Sequence, residues 1–192
     1  MADYSPYYHS GRHVLVALGS NQTGHWGSPE ETLRTAVYTL NQLGHYVQIS
    51  SDLYLTLAVG LGRQSIYLNA AILLRSNVAP ATLLRVFKRL ERAAGRRLGR
   101  HWGPRPLDID IISTRLAIGR TGRRRVAGQL VLPHPEMQNR AFVLAPLADI
   151  APHWWHPKLG CTIHQLMRRP LIKRQMRGLR RCKGSSIRLL PY

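Results

Sequence analysis

Short apolar runs and apolar stripes of helical spacing follow one another along residues 13–112 in a fixed order, and that order limits the folds open to the chain. His13-Val14-Leu15-Val16-Ala17-Leu18 closes on Gly19-Ser20-Asn21, the pattern of a buried strand ending in a turn. A helix start follows. Ser28 can cap it, Pro29 suits its first turn, Glu31 lies three residues past the cap, and apolar positions recur through Leu43 before Gly44. Residues 46–56 read as extended, with Val47 and Ile49 alternating against polar neighbours. A glycine-containing loop leads into Ile66-Tyr67-Leu68-Asn69-Ala70-Ala71-Ile72-Leu73-Leu74, another strand. Pro80 then opens a helix with Leu83, Leu84, Phe87, Leu90 and Glu91 at helical spacing before Gly95. A basic loop over 96–105 delivers the chain into a last strand, 107–112.

Strand, helix, strand, strand, helix, strand is the order of an α+β, ferredoxin-like split βαβ sandwich, in which helices pack on an antiparallel sheet. Beyond Thr114 the pattern predicts additional strands at 117–118 and 126–132 and helices at 137–148 and 163–168. At 192 residues the chain suits one cored domain. We read an N-terminal extension over 1–13, the domain over 14–168 and a basic C-terminal tail over 169–192.

Charge narrows the partners. The formal net charge of +19 favours polyanions: phosphorylated substrates, nucleic acid or anionic membrane. Eight basic residues lie between positions 85 and 105, four between 120 and 125 and nine between 168 and 188, the last group without an acidic neighbour. Within that tail Leu171, Ile172, Met176 and Leu179 could form one apolar helical stripe flanked by arginines, and truncation before Pro170 is expected to spare activity. Cys161 and Cys182 have no metal or disulfide spacing, Met1 to His13 has no apolar signal core, and no apolar run spans a bilayer, so the expectation is a cytoplasmic protein with free thiols.

The chemistry concentrates at Gly103-Pro104-Arg105-Pro106-Leu107-Asp108-Ile109-Asp110-Ile111-Ile112, which spends two of nine acidic residues on a pair spaced by one isoleucine. In a strand Asp108 and Asp110 project from one face while Leu107, Ile109 and Ile111 enter a core. Two adjacent carboxylates repel and need a compensating cation, and an all-oxygen donor set suits Mg²⁺, which completes its shell with water and substrate phosphates. Arg100-His101-Trp102-Gly103-Pro104-Arg105 sets guanidinium groups beside the pair, and these match phosphate oxygens in bidentate geometry.

Four blocks resemble the 6-hydroxymethyl-7,8-dihydropterin pyrophosphokinase family: Val16-Ala17-Leu18-Gly19-Ser20-Asn21, Tyr67-Leu68-Asn69-Ala70-Ala71, the Trp102 to Ile112 run, and Leu132-Pro133-His134-Pro135-Glu136-Met137-Gln138-Asn139-Arg140-Ala141-Phe142. The resemblance implies transfer of a pyrophosphoryl group from ATP to the pterin hydroxymethyl oxygen, with release of AMP, on a ferredoxin-like fold with additions. It implies that Asp108 and Asp110 hold two Mg²⁺ ions, and that Arg96 and Arg105 join them as catalytic residues. For the pterin it implies stacking between Tyr67 and Phe142, reading of the ring edge by Asn69, a slot lined by Thr56 and Val59, and closure by Trp102. For ATP it implies Lys88, Glu91, Arg105, Ile111, His134 and Arg140. The protein would act as a monomer on small-molecule substrates. Departures from the family pattern are Pro135 in place of a tyrosine, Lys88 in place of a frequent glutamine, Leu57-Ala58 in place of a Pro-Pro turn, and a basic loop one residue short, which leaves Arg97 and Arg100 without separate roles.

Two other readings use the same features: a catalytically weakened relative whose basic tail acts as an anchor or scaffold, and a nucleic-acid-binding protein, suggested by the charge and by a fold shared with RNA-recognition modules; contact with nucleic acid or an anionic surface through the tail is open to either. The second needs a Lys/Arg-Gly-aromatic run on central strands, and none occurs.

Overall fold

The computed structural model describes residues 12–56, 66–96, 105–114, 124–126 and 130–187. The first strand, β1 (Arg12–Ser20), leads to helix α1 (Pro29–Gln42), which starts at a closed capping box: the Ser28 N–H donates to Glu31 Oε2 at 2.8 Å and the Glu31 N–H reaches back to Ser28 Oγ. Gly44, at φ +77°, turns the chain beyond it, a conformation glycine adopts without steric cost. Strands β2 (Tyr46–Ser50), β3 (Leu53–Thr56) and β4 (Tyr67–Ser76), helix α2 (Pro80–Ala93) and strand β5 (Asp108–Ser113) follow.

The sheet order is β3-β4-β1-β5, with β2 pairing β4 in line with β3. Every pairing is antiparallel, so β1 and β2/β3 run the same way with β4 inserted between them. That is the split βαβ arrangement, as the order of patterns predicts.

Period two divides the sheet cleanly into two faces. Val14, Val16, Leu18, Leu68, Ala70, Ile72, Ile109 and Ile111 face α1 and α2 and pack against Leu33, Val37, Leu40, Leu83 and Phe87. Leu15, Ala71, Leu73 and Ile112 face a second helix layer, built from α3 (Ala141–Ile150), α4 (Ile163–Met167) and α5 (Pro170–Met176). This face carries the functional side chains, because α3 covers only part of it.

Several elements differ from expectation. The extended stretch 46–56 breaks at Ser51, where the Ser51 N–H donates to the Ala71 carbonyl and Ser51 Oγ accepts from the Ala71 N–H, both at 2.9 Å; one side chain thus replaces a strand residue in the ladder. The helix expected at 137–148 is a 3₁₀ turn (Met137–Asn139), one extended residue at Arg140 (φ −121°, ψ 104°), and then α3. The strand at 126–132 is a hairpin of β6 (Arg124–Val126) and β7 (Leu130–Leu132), while 117–118 lies outside the described residues. A second small hairpin joins β8 (Trp155–His156) to β9 (Cys161–Thr162).

The largest difference concerns the tail. Rather than standing apart after residue 168, the chain packs Ile172 of α5 into the second core, pairs β10 (Leu179–Cys182) with β3 at the edge of the main sheet, and buries Ile187 in the first core. The anticipated apolar stripe is divided accordingly. Ile172 is buried, Leu171 is exposed, and Leu179 belongs to the strand. One of the segment's arginines is held by distant acids: Arg181 Nε lies 2.8 Å from Asp52 and Nη2 3.3 Å from Asp149, which also accepts from the Tyr54 hydroxyl at 3.0 Å.

Candidate active site

Strand alternation places Asp108 and Asp110 together on the face toward α3, with Ile109 buried between them on the other side. Register then fixes their neighbours. Asp108 pairs with Gly19, Gly19 with Asn69, and Asn69 with Tyr54, forming one row across β5, β1, β4 and β3; Asp110, Ala17 and Ala71 form the next. At about 4.8 Å between strands, Asp108 and Asn69 stand roughly 10 Å apart with no side chain between them but hydrogen. A Cβ at Gly19 would come within 3.4 Å of Asn69 Oδ1. Glycine and two alanines therefore make the floor of a shallow trough with carboxylates at one end and a carboxamide at the other.

Asn69 is oriented by Thr56, whose Oγ1 accepts from its Nδ2 at 2.9 Å. Tyr67 lies two residues earlier on the same face. Burial raises its phenol above the ordinary range, and the charges of Arg105, Asp108 and Arg96 all act on it, so the aromatic end and the acidic end of the trough share one electrostatic environment. Phe142, on the first turn of α3, carries the Arg140 guanidinium 5.9 Å from its ring centroid.

Arginines gather on Asp108. Arg96 Nη1 donates to Asp108 Oδ1 at 2.6 Å and Arg105 Nη1 to the same oxygen at 3.0 Å. Burial pushes the Asp108 carboxyl up, but Arg105 and Arg96 outweigh it and hold the group ionised below its ordinary range. Asp110 goes the other way, raised by burial and then by the charge of Asp108 beside it. His134 Nε2 is 4.0 Å from Asp110 Oδ2. Its Nδ1 accepts the Glu136 N–H at 3.2 Å, which sets the ring proton on the nitrogen facing the carboxylate.

The donor set fits Mg²⁺. Two carboxylates on one face, one of them raised by its neighbour, have an electrostatic deficit that a hard cation relieves, and two protein oxygens leave the rest of the shell to water and phosphate. Among the described residues no cluster of three or more acidic, histidine or cysteine ligands exists.

Two residues expected at the ATP site, Glu91 and Ile111, are placed as follows. Glu91 is 2% exposed, and its oxygens are engaged: Oε1 accepts the Ile109 N–H at 3.0 Å and lies 2.7 Å from Lys88 Nζ, while Oε2 lies 2.8 Å from Arg96. It holds β5 and Arg96 in place from beneath. Ile111 points into the α1/α2 core, because it alternates with Asp110, and only its backbone is on offer to a ligand. Val59, Trp102, Leu57, Ala58, Arg97 and Arg100 lie outside the described residues. Asn21, a turn residue that closes the first family-like block, has a role the sequence does not show: its Oδ1 accepts the Arg105 N–H at 2.8 Å and its own N–H donates to the Arg105 carbonyl at 3.2 Å, pinning Arg105 beside the pair.

The model of the 7,8-dihydro-6-hydroxymethylpterin-pyrophosphokinase (HPPK) family matches residues 15–152, the span that carries this trough. The chain belongs to the HPPK family. It is 37% identical over 155 residues to 2-amino-4-hydroxy-6-hydroxymethyldihydropteridine pyrophosphokinase of Synechocystis sp., covering 80% of this chain and 74% of that one. It is 38% identical over 139 residues to the enzyme of the same name from Bacillus subtilis, covering 71% and 77%. In fold it matches the crystal structure of wild-type Plasmodium falciparum HPPK-DHPS with TM-score 0.66 at 14% identity, over 92% of this chain and 45% of that longer one. This HPPK chain thus carries the family's α+β fold, and its described residues include no helix long and apolar enough to cross a membrane.

Proposed function

We propose that the trough transfers the β,γ-pyrophosphoryl group of ATP to the hydroxymethyl oxygen of 6-hydroxymethyl-7,8-dihydropterin, a step of folate biosynthesis, with the residues above in the following roles. The substrate oxygen attacks the β-phosphorus, the bond from that phosphorus to the α–β bridging oxygen breaks, AMP leaves, and the hydroxyl proton passes to solvent or phosphate. No protein nucleophile is required, so catalysis rests on positioning and charge. Asp108 and Asp110 would hold two Mg²⁺ ions, which supply neutralisation of the triphosphate and alignment of the attacking and leaving oxygens. Arg96 and Arg105, parked on Asp108, are within reach of phosphate oxygens arriving there; His134 and Arg140 flank the Asp110 side. Asn69 reads the pterin edge while Tyr67 and Phe142 stack on the ring, with Thr56 and Val59 lining the slot and Trp102 sealing it. Lys88, tied to Glu91, adds positive potential near ATP, and Glu91 and Ile111 act from behind, through Arg96 and the strand backbone.

The observation that carries this reading is the row Asp108–Gly19–Asn69, which sets the carboxylate pair and the Asn69 carboxamide one empty strand position apart. A nucleic-acid reader would need stacking aromatics where β1 and β4 carry Gly19, Ala17, Ala71 and Asn69. The same reading has the protein working as a cytoplasmic monomer, with exposed Arg174 of α5 and Arg180 of β10 facing an anionic surface. Incubation with Mg²⁺-ATP and the pterin alcohol should yield pterin-dependent AMP and no ADP. Absence of AMP, or formation of ADP, would overturn the assignment.

A further inference from the structure

Position 140 begins α3 with an arginine, a residue type that does not cap helices and whose charge the helix dipole opposes at that end. No side chain at the N-cap bonds back to the helix. The bond is supplied instead from α5: Gln175 Oε1 accepts the Ala141 N–H at 2.8 Å, and Gln175 Nε2 donates to the Asn139 carbonyl at 3.0 Å. A single carboxamide thus closes on the backbone immediately before and immediately after Arg140. It satisfies an orphan donor of α3 and ends the 3₁₀ turn, which fixes the extended conformation at 140 and, two residues on, the start of the helix that carries Phe142. Four residues beyond Gln175, Leu179 pairs with Thr56, so the same segment also braces the opposite wall of the trough.

We infer that Gln175, which lies outside the residues matched by the family model, is a positioning residue for the reaction, holding Arg140 at the phosphate end of the trough by clasping its two neighbouring peptide groups. The inference rests on the pyrophosphokinase reading. It relieves a conflict visible in the sequence: an external cap allows the N-cap position to be spent on a cation that serves the substrate rather than the helix.

The test compares Gln175→Met, which keeps length and loses both bonds, with Arg140→Ala and the double variant, each assayed for pterin-dependent AMP release and for thermal melting. Gln175→Met should lower kcat/KM for ATP about 10-fold, the scale of lost supporting contacts at a charged site. In the Arg140→Ala background the same substitution should cost nothing further, since residues acting through one another are non-additive. Wild-type kcat/KM in Gln175→Met, or an equal loss in both backgrounds, would overturn the inference while leaving the enzyme assignment standing. A wild-type protein that forms no AMP would instead remove the reading beneath it. Should Gln175→Met fail to fold, Gln175→Glu keeps the acceptor for Ala141, loses the donor for Asn139, and must show the same background dependence.

Discussion

At the scale of residues, two carboxylates one isoleucine apart are driven to opposite behaviour by what surrounds them. Asp108 collects Arg96 and Arg105 on one oxygen and stays ionised, whereas Asp110 has His134 at 4.0 Å and carries the repulsion of the pair. The pair was legible in the sequence because period two is a local property. Its support was not. Glu91 sits at a core position of α2, and its role emerges only when Ile109 and Arg96 arrive from elsewhere in the chain to use its oxygens. Glu91→Gln retains an acceptor for the Ile109 N–H but loses the charge that ties Arg96 and Lys88. We expect a folded protein with pterin-dependent AMP release reduced about 10-fold, checked by steady-state kinetics beside a thermal melt.

At the scale of elements, the strands and helices of residues 12–113 were readable because burial pattern and caps agree: the Ser28/Glu31 box, Pro80 at the start of α2, continuous apolar runs on β1 and β4, buried on both faces, and alternation of Asp108, Ile109 and Asp110 on β5. The departures are places where one side chain outcompetes the pattern. Ser51 replaces a strand position with its own hydroxyl, and Arg140 is held extended between the 3₁₀ turn and α3. β1 also carries a site feature that no strand propensity signals. Gly19 is the gap between Asp108 and Asn69. Gly19→Val suits a central strand and should preserve the fold, but it fills the trough floor beside Asn69 Oδ1. The expected outcome is an increase in KM for the pterin with an unchanged circular dichroism spectrum. A variant with wild-type KM would show that substrate does not lie over this row.

At the scale of the whole molecule, the basic C-terminal segment is part of the domain, contrary to its appearance as a detached tail. Nine basic residues without an acid masked two buried isoleucines and a strand, and the acids that answer Arg181, Asp52 and Asp149, belong to distant elements. Removing residues 169–192 strips Ile172 and Ile187 from the two cores, each worth about 1.5–3 kcal/mol of burial, and exposes the β3 edge that β10 covers. Truncation should therefore lower the denaturant midpoint sharply and yield aggregation-prone protein. A truncated chain with a wild-type midpoint would contradict the packing described. The central claim is that the Asp pair and the Asn69 row form one reaction centre, and steady-state AMP formation by Asp110→Asn tests it most directly. That substitution keeps the shape of the side chain and removes its charge, so the account predicts wild-type melting with turnover reduced at least about 100-fold; Asp110→Asn protein that forms AMP at the wild-type rate would contradict it.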